Sequence, residues 1–390
     1  MNITKTILCT LPFVVASCCT MKKNNVGDTQ KVFADADSQY RVMATLLPDG
    51  RFPQTFEKDK FVSSGSDWWC SGFYAGALYY IWQQTKDPAI YDDMQKSLGY
   101  LKHEQFNKST HDIGFMMYCS FGNLEKAQPS KETEDILMNS ARSLVTRFDP
   151  KVGCIRSWNS KPGHFLVIID NMMNLELLFW ATRHSGDSSF YKVAVTHANT
   201  TMKNHFRDDY SSFHVVDYNS EDGSVLQRRT AQGYSDTSAW ARGQGWGLYG
   251  YTVMYRETKN PVYLAQANHI ADFILNNPHL PADKVPYWDF NAPDIPNALR
   301  DASAGAVIAS ALLELRQYVD KGLAKKYTSV AQTILKNLQT GQYTADKGTN
   351  GGFILKHSVG SIPGKTEVDV PLTYADYYYL EALTRLKSGE

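Results

Sequence analysis

The chain has 390 residues and no net charge, because 40 lysines and arginines balance 40 aspartates and glutamates. This balance excludes a general electrostatic role on nucleic acid or anionic lipid, so a charged ligand has to be met by local residues. No Pro/Gly/Ser-rich linker or shift in composition divides the chain, which favours one large globular domain. Cys70, Cys119 and Cys154 show neither disulfide-framework nor metal-ligand spacing and are interpreted as small buried hydrophobes.

The first residues, MNITKTILCTLPFVVASCC, combine a lone lysine, a short apolar run and small residues before a cysteine, as in a secretory signal. Val15–Cys18 resembles the cleavage box of bacterial lipoproteins. We therefore predict a signal peptide at residues 1–17, a lipid anchor at Cys18, a tether at 18–28 and a location in the periplasm or cell envelope. An ordinary cleaved signal with soluble release is the alternative, and Cys19 complicates the choice of site.

Residues 29–390 place apolar residues mostly at helical spacing and rarely with period two, so this domain is predicted to be all-α. About twelve helical segments of two alternating kinds are expected. Amphipathic, charged segments are predicted near 29–47, 91–106, 131–148, 189–206, 261–277 and 323–340. Segments rich in Gly, Ala and aromatics, which lack a polar face and are expected to be buried on all sides, are predicted near 73–85, 114–121, 172–184, 238–257, 302–319 and 372–387.

The junctions between these segments also recur. TKDPAIYDDM, HSGDSSFYKV, TKNPVYLAQA and DKGLAKKYTS each place turn residues and a tyrosine ahead of an amphipathic helix, which indicates repeated helical hairpins. Six hairpins predict a closed (α/α)6 barrel, because an open solenoid would leave its end repeats unburied without polar caps. In such a barrel the loops that lead into the inner helices gather at one end, and the functional site is predicted there.

Two aspartates stand beside apolar residues where inner helices are predicted to begin: Asp112 in HDIGFMMY and Asp170 in IIDNMMNLELL. Desolvation raises the pKa of a carboxyl group and suits it for proton transfer near neutral pH. The alternative is that each aspartate is an ordinary helix N-cap.

The segment Thr230–Gly250, TAQGYSDTSAWARGQGWGLYG, starts a helix with four glycines, each of which costs roughly 1 kcal/mol in a helix interior. Arg242 and Trp246 share a helical face, and Trp240 lies nearby. An aromatic platform beside a guanidinium suits a sugar ring that bears a carboxylate. A crowded packing contact between helices explains the segment equally well.

A long polar connection precedes this helix and contains His214 and, near its end, Gln232. Connections of this length are usually functional. No His/Cys/Asp cluster has metal-ligand spacing, and neither a GxSxG motif nor a phosphate-binding glycine loop is present.

Taken together, these motifs resemble the unsaturated glucuronyl hydrolases, glycoside hydrolase family 88. The resemblance runs past the signal through DWWCSGF, HDIGF, IIDNMMN, SSFHVVDY, QGYSDTSAWARGQGWGLYG and EVDVPLTYADYYYLEALTRL. It implies an (α/α)6 barrel without metal or organic cofactor. It also implies a substrate that polysaccharide lyases produce, an oligosaccharide with a 4,5-unsaturated uronic acid at its non-reducing end, whose double bond is hydrated rather than its anomeric carbon attacked.

The same resemblance assigns roles to individual residues. Asp170 would be the main acid/base and Asp112 its helper. The uronate-binding residues and aromatic walls implied around them are His111, His214, Gln232, Arg242, Trp69, Trp240 and Trp246. The stretch GGFILKHSVGSIPGKTEVDV matches a region where family members differ in handling sulfated sugars, with a solvated loop as the alternative. Its candidate sulfate ligands are Ser358, Ser361 and Lys365.

Three competing functions are compatible with parts of this pattern. The first is an unsaturated galacturonyl-rhamnose hydrolase acting on pectin, and the second is an inverting hydrolase of saturated glycans. The third is a non-catalytic glycan-binding lipoprotein, against which the two shielded acids argue. The expected partner is an unsaturated oligosaccharide, with no nucleic acid and no obligate protein partner.

Overall fold

A computed structural model describes residues 26–389. The predicted signal peptide, Cys18 and most of the predicted tether lie outside the described residues. Within residues 26–389, no helix combines the length and apolar character needed to cross a membrane.

Helices of two kinds alternate along the described chain, as predicted. The outer helices are α1 (Thr29–Leu46), α3 (Pro88–Leu101), α5 (Lys131–Val145), α7 (Ser188–Asn204), α9 (Pro261–Asn276) and α11 (Lys321–Leu338). The inner helices are α2 (Ser71–Thr85), a π-helix (Gly114–Gly122) that continues into α4 (Asn123–Ala127), a 3-10 helix (Ile169–Asn174) that continues into α6 (Leu175–Ser185), α8 (Ala241–Thr258), α10 (Ala302–Leu315) and α12 (Thr373–Ser388).

The inner helices form a closed ring. Each one packs against the next along the chain, and α12 packs against α2. The outer helices pack around this ring. The predicted (α/α)6 barrel is therefore confirmed.

The recurring junctions correspond to capped helix starts. Asp87, Asp187, Asn260 and Asp320 each accept a backbone N–H in the first turn of the outer helix that follows. These caps satisfy N–H groups that have no partner inside the helix. The repeat seen in the sequence is thus the point where each inner helix turns back into an outer one.

The glycines of α8 serve close packing against the neighbouring inner helices. A Cβ atom on Gly250 would lie 2.5 Å from the Cβ atom of Met172, and one on Gly245 would lie 3.1 Å from a methyl group of Val307. The packing interpretation of this segment therefore accounts for these two glycines.

Nine short strands, which the sequence did not predict, form four small antiparallel sheets within the described residues. They lie in connections that lead into inner helices. The strands are β1 (Phe52–Glu57), β2 (Lys60–Ser64), β3 (Phe148–Asp149), β4 (Cys154–Ile155), β5 (His164–Ile168), β6 (Val215–Asn219), β7 (Val225–Arg229), β8 (Ser358–Ser361) and β9 (Thr366–Val370).

Two strands of the largest sheet, β5–β6–β7, lie in the long polar connection that contains His214. Strand β5 of this sheet shows no alternation because both faces are covered: Phe165 and Val167 pack on one side, and Leu166 and Ile168 on the other. A strand buried on both faces appears in the sequence as a continuous apolar run.

Candidate active site

A cavity of about 400 Å³ opens at the barrel end where connections lead into the inner helices. Its lining residues are Asp67, Trp68, Trp69, Ser109, Thr110, His111, Asp112, Ser157, Trp158, Asn159, Ile168, Asp170, Gln232 and Arg242. The structure thus brings six of the predicted site residues together: Trp69, His111, Asp112, Asp170, Gln232 and Arg242.

Both candidate acids lie in this cavity. Asp112 precedes the π-helix, Asp170 is the second residue of the 3-10 helix, and their exposures are only 9% and 8%. Desolvation raises the pKa of each carboxyl to about 7. The guanidinium of Arg242 opposes this rise at Asp170, whereas the negative charge of Asp112 adds to it. Two interacting carboxyls of this kind can supply one general acid and one general base near neutral pH.

Neither carboxyl caps a helix, so the capping alternative is wrong. The helix caps at these two starts are Ile113 and Ile168, without a capping side-chain bond. Asp112 Oδ2 accepts a hydrogen bond from Thr110 Oγ1 at 3.3 Å. Oδ2 of Asp170 makes no hydrogen bond of standard geometry among residues 26–389.

His214 lies directly behind Asp170, in the turn before β6. Its Nδ1 accepts the backbone N–H groups of Ala231 at 3.1 Å and Gln232 at 3.2 Å, which assigns the proton to Nε2. Nε2 is 3.7 Å from Asp170 Oδ2, and burial, followed by the charge of Arg242, lowers the pKa of His214 well below its usual value. A neutral N–H donor therefore faces the Asp170 carboxyl.

His111 stands beside the second acid. Its Nε2 is 3.2 Å from Asp112 Oδ1. Burial, with the charge of Arg147 as the second cause, lowers the pKa of His111 to about 3. The imidazole next to Asp112 is accordingly neutral, like that of His214.

Arg242, the predicted ligand of the substrate carboxylate, lines the cavity. The side chain is almost fully buried, and Nη1 is 3.0 Å from Asp301 Oδ2 while also donating to the Val359 carbonyl. Nη2 donates to the Gly360 carbonyl at 2.9 Å. Both terminal nitrogens are thus engaged, whereas Nε makes no hydrogen bond of standard geometry within residues 26–389. Arg242 anchors strand β8 and contributes positive charge near Asp170, and its contact with a substrate carboxylate stays a prediction.

The aromatic walls also differ from the prediction. Trp69 lines the cavity, but Trp240 and Trp246 are 2% and 0% exposed and do not. Trp240 packs against His214, with ring centroids 4.5 Å apart, and Trp246 lies below Asp170, where its indole N–H favours the ionised carboxyl and lowers its pKa.

Trp158 lines the cavity and was missed by sequence reasoning. Its ring meets the ring of His214 edge-on at 5.8 Å. The sequence signal was a tryptophan placed shortly before the apolar run that forms β5.

The C-terminal candidates lie in a β-hairpin formed by β8 and β9, not in a solvated loop. Ser358 is fully buried, Ser361 Oγ accepts the Gly364 N–H, and Lys365 is exposed in the hairpin turn. None of the three lines the cavity. Gln232 Nε2 donates to the Gly360 carbonyl at 3.1 Å and so ties the hairpin to the cavity wall.

The region 48–386 matches the profile of the family described as Glycosyl Hydrolase Family 88. The chain belongs to glycosyl hydrolase family 88. It is accordingly a glycosidase. Across residues 26–389 of this family 88 chain, no group of three or more His, Cys, Asp or Glu side chains could hold a metal ion.

Relatives and solved structures agree with this membership. A protein of Formosa agariphila named unsaturated glucuronyl hydrolase is 47% identical over 81% of this chain and 79% of its own length. An unsaturated chondroitin disaccharide hydrolase of Streptococcus pneumoniae is 33% identical over 85% of each chain. The crystal structure of an unsaturated glucuronyl hydrolase specific for heparin is 46% identical, with a TM-score of 0.89, and covers 92% of this chain and 96% of its own.

A larger cavity, of about 460 Å³, occupies the opposite end of the family 88 barrel. The rings of Phe73, Phe115, Trp246 and Tyr378 contact one another between the two cavities and form a floor under the acids. The charges in the larger cavity are paired with each other, apart from Lys126, whose ammonium group lies 5.1 Å from the centre of the Tyr118 ring. These ion pairs are Arg256 with Glu176 and Glu314, and Arg385 with Glu314 and Glu381. We therefore place the chemistry in the smaller cavity.

Proposed function

We propose that Asp170 and Asp112 together catalyse the reaction of this glycosidase, the removal of a 4,5-unsaturated uronic acid from the non-reducing end of an oligosaccharide. The observation that carries the proposal is the pair of buried carboxyls in one cavity, each with a pKa raised to about 7 and a neutral histidine beside it. Such a pair has one protonated and one ionised member over a range around neutral pH.

The reaction begins with Asp170 protonated and Asp112 ionised. Asp170 donates its proton to C4 of the enol ether, and positive charge develops at C5 and the ring oxygen. Water then adds to C5 and returns a proton to the Asp170 carboxylate. The hemiketal formed at C5 opens to a ketone, which leaves a hemiacetal at C1, and this hemiacetal releases the shortened saccharide.

The residues around Asp170 suit both the protonated and the ionised state that this reaction requires of its carboxyl. Burial stabilises the protonated acid before transfer. After transfer, the Nε2–H of His214, the indole N–H of Trp246 and the charge of Arg242 stabilise the carboxylate. Trp69 and Trp158 supply aromatic surface against which a sugar ring can pack.

Glycosaminoglycan fragments are the proposed substrates, with those from heparin preferred. The support is the higher identity to the heparin-specific relative, 46%, than to the chondroitin disaccharide hydrolase, 33%. The pectin-derived galacturonyl-rhamnose remains the second candidate substrate.

The test follows the ultraviolet band of the conjugated enol ether with unsaturated disaccharides from heparin, chondroitin, hyaluronan and pectin. We expect the band to be lost fastest with heparin disaccharides. A higher kcat/KM on the pectin substrate would refute the glycosaminoglycan assignment. An unchanged band on all four would refute the hydration mechanism.

The acid assignment is tested by Asp170→Asn, which should lower kcat by about 10³-fold or more while the fold is retained. Asp93→Asn is the matched control, because burial also raises the pKa of Asp93, yet this residue lies outside the cavity. Its activity should stay within about twofold of the parent. A well-folded, active Asp170→Asn variant would contradict the proposal.

We also propose that the chain is lipid-anchored through Cys18 in the periplasm or cell envelope. The support is the lipobox-like segment Val15–Cys18 after a short apolar run. Cys18→Ala should abolish labelling by a radioactive fatty acid and release the protein from the membrane fraction. Retention of the label by this variant would overturn the proposed anchor.

A further inference from the structure

Asn174 connects the two segments that carry the acids. It is the last residue of the 3-10 helix, four positions after Asp170, and it is fully buried. Its Oδ1 accepts the backbone N–H of Phe115 at 2.8 Å. Phe115 lies in the first turn of the π-helix that follows Asp112, where backbone N–H groups have no partner inside the helix.

The backbones of these segments also touch. A Cβ atom on Gly114 would lie 2.4 Å from the Cα atom of Asn174, so only glycine fits at position 114 without displacement. The π-helix form itself is rare in proteins and is frequently found at functional sites. Asn174 is therefore held against the chain only two residues from Asp112.

The amide nitrogen of Asn174 faces a different environment from its oxygen. Nδ2 is buried and has no hydrogen bond of standard geometry within residues 26–389. Asn174 nevertheless favours the ionised carboxyl of Asp112 and lowers its pKa, against the larger effect of burial. An amide with Oδ1 already engaged has only its N–H groups left to offer.

We propose that Asn174 is a positioning residue, which donates from Nδ2 to the Asp112 carboxyl and holds it in a set place relative to Asp170. The inference rests on the proposed function of Asp112. Its consequence is that Asp112 stays the ionised member of the pair, and Asp170 the member that carries the proton.

The ionisation of Asp112 depends on several neighbours besides Asn174. Thr110 and the charge of Arg147 also lower its pKa. The remaining titratable groups that face it are Asp170, His111 and Cys70. Of the described residues that lower the pKa of Asp112, Asn174 is the one that lies in the segment of the second acid.

The test compares Asn174→Leu with Asn123→Leu in kcat, KM and the pH profile. Asn123 is a matched control because it is a buried inner-helix asparagine at the start of α4 and is hydrogen-bonded to Cys119 and Tyr377, but lies outside the active cavity. For Asn174→Leu we expect kcat to fall about 10- to 100-fold with KM changed less than about threefold. The ascending limb of its plot of kcat against pH should move to higher pH by about one unit, because the ionised carboxyl of Asp112 loses a hydrogen-bond donor and its pKa rises.

The control variant should lose stability but keep kcat and the pH profile. If Asn174→Leu lowers kcat without moving the limb, or if Asn123→Leu moves it equally, the role is only structural and the inference fails. Should leucine at 174 prevent folding, Asn174→Asp keeps an acceptor for the Phe115 N–H, and its like charge should move the limb in the same direction. An unmoved limb in that variant also overturns the inference.

A double-mutant comparison separates this inference from the proposed function. In an Asp112→Asn background, Asn174→Leu should lower kcat by less than about twofold further, because both changes act on one carboxyl. Full additivity would overturn the positioning role. Wild-type activity of Asp112→Asn alone would instead overturn the proposed function.

Discussion

Arg242→Ala should primarily destabilise the protein instead of weakening substrate binding. The guanidinium is 1% exposed, and its removal leaves the carboxyl of Asp301, which is 0% exposed, without its counter-ion. Breaking a buried ion pair in this way costs about 3–5 kcal/mol. With an unfolding entropy of roughly 2.1 cal/mol/K per residue, a domain of about 360 residues should lose about 4–7 °C in melting temperature.

The assay is scanning calorimetry together with denaturant unfolding, alongside KM measurements on the preferred disaccharide. Arg228→Ala serves as the control, because this arginine is exposed on β7, and its free energy of unfolding should change by less than about 0.5 kcal/mol. Adding Asp301→Asn to Arg242→Ala should recover part of the loss, since it removes the unpaired charge. If Arg242→Ala melts like the parent and raises KM more than about tenfold, the guanidinium serves the substrate carboxylate and our assignment is refuted.

Three further changes test other parts of the structure. The pKa of Asp170 is about 7 in the folded chain and 3.8 when unperturbed, so the ionisation of this residue disfavours folding as pH rises from about 4 to 7. Asp170→Asn should therefore stabilise the protein by up to about 4 kcal/mol at pH 8 and hardly at pH 4. Equal shifts in melting temperature at both pH values would contradict this. Trp158→Ala should raise KM about 3- to 10-fold with little change in kcat, and an unchanged KM would remove Trp158 from the substrate surface. Gly250→Ala should destabilise the protein by about 1–3 kcal/mol because the new Cβ atom would overlap Met172. Gly99→Ala, at an exposed position of α3, should stabilise the protein by up to about 1 kcal/mol. Denaturant midpoints that rank the two variants in the opposite order would contradict the packing argument.

The strands show where sequence reasoning failed and why. The run His164–Ile168 carries no alternation, since both faces of β5 are covered, and the connection after it looked like a polar loop. Because β5 was not recognised as a strand, Trp158, which lies next to this sheet, was not recognised as a cavity residue. Local composition cannot distinguish a strand buried on both faces from other buried segments.

The roles inside the cavity were only partly predictable. Asp112 and Asp170 could be singled out because an acid beside apolar residues at a helix start is a local pattern. The tautomer of His214 depends on two backbone N–H groups 17 and 18 residues away, and the pairing of Arg242 depends on residues 59 and more positions away. Such contacts leave no periodic trace in the sequence.

The sequence by itself therefore determined the alternation of inner and outer helices, their closure into a barrel and the end that carries the acids, because periodicity and turn residues act over a few positions. Only the tertiary structure decided which polar atoms remain free. Asp170 Oδ2, His214 Nε2, Asn174 Nδ2 and Arg242 Nε are left without standard hydrogen bonds among the described residues, whereas the two terminal nitrogens of Arg242 are engaged. The physical reason is that burial and hydrogen-bond pairing are properties of chain segments brought together from distant positions.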